Sequence, residues 1–168
     1  MSACLRFTKQ LWQSFVKHQG HDPHCFPSLQ VIRAVPGQVD VSIKIVPHNL
    51  NRNKVVHGGL ILSLTDTVGS LAVGTKGQWM TGVSTDISAT FLKPAGIEGD
   101  TLYCRGILDG MGKTLAYTRI EFKNEAGQLV AHGHHTKFIG RTVNHEKNVK
   151  FSPDGEELIE GTIPEDLN

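Results

Sequence analysis

Residues 57–75 constrain the fold of this chain more than any other stretch. Leu60, Leu64, Val68, Leu71 and Ala72 recur at helical spacing on one face, while Ile61, Leu62 and Val73 make much of the remainder apolar. A helix that is apolar nearly all round belongs inside a protein, and other elements have to wrap it. Gly58 and Gly59 at its mouth and Gly74 and Gly77 at its end mark its bounds.

The rest of the chain offers strands for the wrapping. Val39, Val41, Ile43 and Ile45 alternate with Asp40, Ser42, Lys44 and Val46, a half-buried strand that Pro47 ends. Residues 48–56 carry three asparagines and read as a loop. Residues 81–92 alternate with Val83, Thr85, Ile87, Ala89 and Phe91 on one face, and residues 102–108, 114–123 and 129–139 are three further strands. Residues 109–112 and 124–127 have the length and composition of hairpin turns, which favour antiparallel neighbours. The expected order is strand, buried helix, then four strands in a meander. A curved antiparallel sheet of about five strands around one helix makes the fold class α+β.

Three segments follow from this pattern: residues 1–34, an N-terminal helix and connector; 35–140, the domain proper; and 141–168, a polar tail. In the first, Leu5, Trp12, Phe15 and Val16 share a helical face. Its first 21 residues hold Arg6, Lys9 and Lys17 and no acid, the composition of a mitochondrial presequence, though few serines favour a helix belonging to the fold. The tail holds seven acids against Arg141, Lys147 and Lys150, and is expected to be partly disordered or laid on the surface.

Charge and cysteines narrow the function. A formal net charge of +1 gives no global electrostatic case for nucleic acid, and no apolar run reaches membrane-spanning length. Cys4, Cys25 and Cys104 are widely spaced and odd in number, which indicates neither a zinc ribbon nor a disulfide framework. Reduced thiols fit an intracellular protein, cytoplasmic or mitochondrial. Of nine histidines, His132 and His134 would share a strand face, but no third ligand accompanies them at recognisable spacing, so no metal site is expected.

The loop-to-helix junction is where chemistry concentrates. A helix start offers unpaired N–H groups and the positive end of its dipole, and glycines there let a substrate oxygen approach the amides. That suits the oxyanion formed when a carbonyl is attacked, although Gly58 and Gly59 would equally permit tight helix–sheet packing. Asp66 sits mid-helix among apolar positions, costly to bury unless paired or used. The bland alternative is an exposed stripe shared with Ser63, Thr67 and Ser70. His57 and Asp66 are nine residues apart, roughly 13.5 Å along a helix and half a turn out of phase. One subunit cannot easily bring its acid to its own helix start, but two helices antiparallel about a two-fold axis can.

These residues fall in a recognisable series. Asn51 stands six positions before His57, Gly58 and Gly59; Asp66 follows, and then Val83-Ser84-Thr85-Asp86. Phe91-Leu92-Lys93-Pro94-Ala95, Gly112-Lys113-Thr114-Leu115-Ala116-Tyr117 and Ala131-His132-Gly133-His134-His135-Thr136-Lys137 continue it. From about residue 36 to 140 the chain resembles the phenylacetyl-CoA-thioesterase branch of the hotdog superfamily, which includes mammalian acyl-CoA thioesterases of lipid metabolism.

The resemblance implies an acyl-CoA substrate, no cofactor, and a homodimer with a shared site assembled into a homotetramer. It implies that Asn51 and the Gly58 amide polarise the thioester carbonyl, with His57 shaping the turn. Asp66 would be general base or nucleophile, and Ser84 would hold the water or orient Asp66. Gly59, Phe91, Leu92, Lys93, Pro94, Lys113, Thr114 and Lys137 would border the coenzyme A channel. One departure stands out. The family often has glycine three residues after the asparagine, where this chain has Lys54, which either reshapes the loop or adds a cation beside the nucleotide phosphates. Two rivals remain: a hotdog enoyl-CoA hydratase, whose acid and histidine usually share one loop-helix segment, and a non-catalytic acyl-CoA-binding protein, which would not need Asp66.

Overall fold

A computed structural model describes residues 1–165. The apolar helix is present as α3 (Gly58–Gly74), reached after α1 (Ala3–Lys17), α2 (His21–Cys25), β1 (Gln30–Val35) and β2 (Gln38–Lys44). After it come β3 (Val83–Phe91), β4 (Thr101–Met111), β5 (Leu115–Lys123) and β6 (Leu129–Phe138), then the short β7 (Lys150–Phe151) and β8 (Leu158–Glu160). The first six strands form one antiparallel sheet in the order β1-β2-β4-β5-β6-β3. Helix α3 lies across its concave face, and Leu64, Val68, Leu71 and Ala72 are fully buried there with Ile43, Leu102, Ile120 and Phe122. The contact is close enough to require glycine. A Cβ on Gly69 would stand 2.6 Å from His135 Nδ1 and 2.7 Å from Thr118 Oγ1, and one on Gly106 would stand 2.8 Å from the Val68 carbonyl oxygen.

Three expectations change. The sheet has six strands rather than about five, because residues 30–34 of the expected connector, with Val35, form β1. A register irregularity between Val31 and Arg33 breaks the alternation that would have revealed it. The four later strands are not a simple meander either. Strands β4, β5 and β6 are consecutive neighbours, but β3 pairs with β6 at the far edge, because residues 92–100 carry the chain across instead of making a hairpin.

The tail is the third change. Strands β7 and β8 pair with each other, Val149 and Ile163 are buried, and Phe151 meets the Phe7 ring edge-on at 5.6 Å between centroids. The Ala3 and Cys4 amides, orphans at the start of α1, donate to the Glu156 and Gly155 carbonyls at 3.1 and 3.0 Å. The acid-rich composition of the tail hides these few anchoring side chains. Helix α1 is amphipathic as expected, but its most buried face is Cys4, Phe7, Thr8, Leu11 and Trp12; Leu5, Phe15 and Val16 pack at the margin. Among the described residues, no helix is long and apolar enough to cross a membrane.

Candidate active site

The start of α3 is built from backbone. The Asn51 amide donates to the Val55 carbonyl at 2.8 Å and Asn51 Oδ1 accepts from the Asn53 and Val55 amides at 2.8 and 3.4 Å, so Asn51 is tied into a tight turn. With the oxygen turned to the backbone, its Nδ2 amine is the group left to meet a ligand. Lys54 occupies the left-handed region at φ 62°, which explains why a glycine suits that position. His57 caps the helix: its Nδ1 accepts from the Gly59 amide at 2.8 Å, which fixes the ring proton on Nε2. The Gly58 amide heads the helix without an intrahelical partner. A cavity of about 410 Å³ opens beside it, lined by Asn51, Gly58, Ile61, Phe91, Lys93 and Ala131, with Leu92 and Pro94 at its wall. The bare Cα of Gly58 lies under the Phe91 ring, where a Cβ would come within 3.4 Å.

Side chains build the second cluster, two turns further along α3. Asp66 Oδ1 accepts from Ser84 Oγ at 3.1 Å, His135 Nε2 lies 2.8 Å from the same hydroxyl and 3.4 Å from the carboxylate, and Lys137 Nζ lies 3.9 Å from it. The Asp66 side chain is 45% exposed, whereas those of His135 and Lys137 are 0% and 4%. A β-bulge brings Ser84 there. Strand β3 shifts register against β6 between Ser84 and Asp86, so Ser84 faces Lys137 and Ile87 faces His135. Simple alternation would have put Ser84 and Ile87 on opposite faces; the extra residue, Thr85, puts both toward α3. The same bulge splits the expected face of β3: Val83 and Thr85 fall outside it and are exposed, Ile87 and Ala89 are partly covered, and Phe91, on their side, is exposed at the strand end.

The protons in this cluster can be assigned. His135 Nδ1 is buried and has no partner among the described residues. An unmade donor is the costlier orphan, so the proton sits on Nε2 and is donated to Ser84 Oγ. The Ser84 hydroxyl then has its own proton to give to Asp66. Burial first, then Lys137, pushes the His135 pKa down to about 4, so the ring is neutral near pH 7. The Ser84 hydroxyl thus donates to the Asp66 carboxylate and accepts from His135.

One further site expectation changes. Lys137, expected at the border of the coenzyme A channel, is buried against Ser70 Oγ at 2.5 Å and Asp66, because it lies on the inward face of β6. Lys113 and Thr114 are exposed near the β4–β5 turn, apart from the residues that line the 410 Å³ cavity of a single copy. The polar stripe of α3 exists, but Thr67 and Ser70 are buried and bonded, Thr67 Oγ1 to Asp22 Oδ1 at 2.7 Å. His135 was the residue hidden in the sequence, grouped with His132 and His134. Those two do share the outer face, their rings 5.8 Å apart. Alternation from Ala131 through Gly133 was the signal that His135 and Lys137 point inward.

A sheet wrapped round a buried helix, with an acid on that helix and a glycine turn at its start, defines a hotdog-fold hydrolase architecture. The chain belongs to the thioesterase superfamily, whose model matches residues 53–131. It is 38% identical, over 86% of its length and 89% of the relative's, to a Schizosaccharomyces pombe protein whose name goes no further than esterase. It is 34% identical to human acyl-coenzyme A thioesterase 13, over 67% of this chain and 80% of that one. Among solved structures, a Streptococcus pneumoniae hypothetical thioesterase with coenzyme A aligns with a TM-score of 0.64 and 28% identity, covering 68% of this chain and 88% of that chain.

Proposed function

We propose that this protein hydrolyses acyl-coenzyme A thioesters to the free acid and coenzyme A. The observation that carries the reading is Asp66, an acid on the central helix, half exposed and held by the Ser84 hydroxyl. The thioester carbonyl would rest against the Gly58 amide and Asn51 Nδ2, which stabilise the charge that develops on its oxygen. Asp66 acts either as base, taking a proton from a water that adds to the carbonyl, or as nucleophile, forming a mixed anhydride that water then cleaves to regenerate the carboxylate. On either route a C–O bond forms, the C–S bond breaks, and the departing thiolate of coenzyme A ends with a proton from that water. Phe91, Leu92, Lys93 and Pro94 would flank the pantetheine arm. The likeness to human acyl-coenzyme A thioesterase 13, and to the streptococcal thioesterase with coenzyme A, supports that substrate.

The two clusters stand roughly 12 Å apart along α3, eight residues at 1.5 Å each. That separation supports a site shared between two copies, the acid of one chain meeting the glycine turn of the other. Strand β3, an edge strand with Val83 and Phe91 exposed, supplies a surface for such pairing.

Release of free thiol across short, medium, long and aryl acyl-CoAs tests the activity and finds the acyl preference. Asp66→Asn should lower the rate on the best substrate by about 10²–10⁴-fold. A variant as fast as wild type would falsify the assignment.

A further inference from the structure

We propose that Lys137 is a positioning residue, a cation built into the core under Asp66 to hold that carboxylate in place. The inference rests on the hydrolase reading of Asp66 given above. Lysine normally keeps its amine in water and lays only its stem against apolar surface. Lys137 does the opposite. Its side chain is 4% exposed, and its amine ends between Ser70 Oγ, 2.5 Å away, and Asp66 Oδ1, 3.9 Å away. Ser70 lies one helical turn beyond Asp66, so the anchor and the acid share a face of α3. In the sheet, Lys137 is directly opposite Ser84, the donor that orients the same carboxylate. An apolar side chain could fill this position without burying a charge, and burying one is unfavourable unless a partner compensates it. The half-exposed carboxylate of Asp66 is the acid beside that amine.

The charged and titratable groups around Asp66 come from every neighbouring element. Strand β6 contributes Lys137 and His135, β3 contributes Ser84 and Asp86, and α2 contributes Asp22, which Thr67 holds. Burial lowers the pKa of Lys137, while Asp66 and then Asp22 pull it back up. Lys137 in turn helps to keep His135 neutral.

The test is the steady-state kinetics of Lys137→Met, which keeps length and removes charge. Misplacing a reacting group by about 1 Å can cost about 10²-fold in rate, and we expect kcat to fall by about tenfold or more with KM little changed and the melting temperature no lower. Lys137→Arg, which keeps the charge, should recover part of the loss. Ser70→Ala, which removes only the anchor of the amine, should lower kcat the same way by less, and it serves if Lys137→Met does not fold. An unchanged kcat in Lys137→Met with inactive Asp66→Asn overturns the role of Lys137 alone. A loss accompanied by a raised KM does the same. Full activity in Asp66→Asn removes the hydrolase reading and this inference together.

Discussion

The two ends of the working face of α3 are made of different materials. At the helix start the candidate groups are mostly backbone: the Gly58 amide, the turn closed by Asn51, the cap made by His57. Two turns later they are side chains drawn from three separate elements, Asp66 from α3, Ser84 from β3, and His135 with Lys137 from β6. A backbone site depends on local conformation and tolerates change around it. A side-chain site depends on sheet register, and a one-residue slip would turn it inside out.

If the two halves serve different copies of the chain, they can be broken separately and recombined. Asp66→Asn disables the acid and Gly58→Val obstructs the turn, yet a mixed dimer would contain one site assembled from the undamaged halves. Co-expression should restore up to about half of wild-type activity per heterodimer from two nearly inactive parents. Isolated heterodimers no better than either parent would separate the two clusters functionally, and the shared site would have to be abandoned.

Asn51→Ala probes the backbone half alone. Loss of one donor to a developing oxyanion costs about 2.7–4 kcal/mol of barrier, or about 10²–10³ in kcat. Affinity for product coenzyme A should stay near wild type, as read by calorimetry. If binding falls as far as turnover, Asn51 acts by holding the loop through its two Oδ1 contacts and not by touching the carbonyl.

The smallest effect is expected at Lys54, whose left-handed backbone is strained for a residue with a Cβ. Lys54→Gly should raise stability by about 0.5–1 kcal/mol in chemical denaturation, the relief of that strain less the entropy glycine loses on folding. A rise in KM alongside would show that the ammonium also meets the substrate. Unchanged stability would mean the turn carries no strain worth relieving.

Much of this was legible in the chain itself. The buried helix, its glycine mouth and its lone acid declared themselves because a 3.6-residue pattern with so little polarity has few places to go. The strands after α3 were readable for the same reason, through alternation and turn chemistry. Where alternation fails, reading fails: at β1, where the register shifts after Val31, and at β3, where it shifts after Ser84.

The sequence by itself thus determined which residues had to be inside and where a helix terminus would offer its amides, since both follow from local periodicity and local turns. Periodicity did not determine that Ser84 meets Asp66, which the family resemblance alone implied, nor that His135 lies behind Ser84 or that Lys137 turns inward to Ser70. Those meetings join residues 18, 51 and 67 positions apart in the chain. Only the folded sheet decided them, because a bulge selects the face Ser84 uses and the pairing of β3 with β6 selects what it finds there.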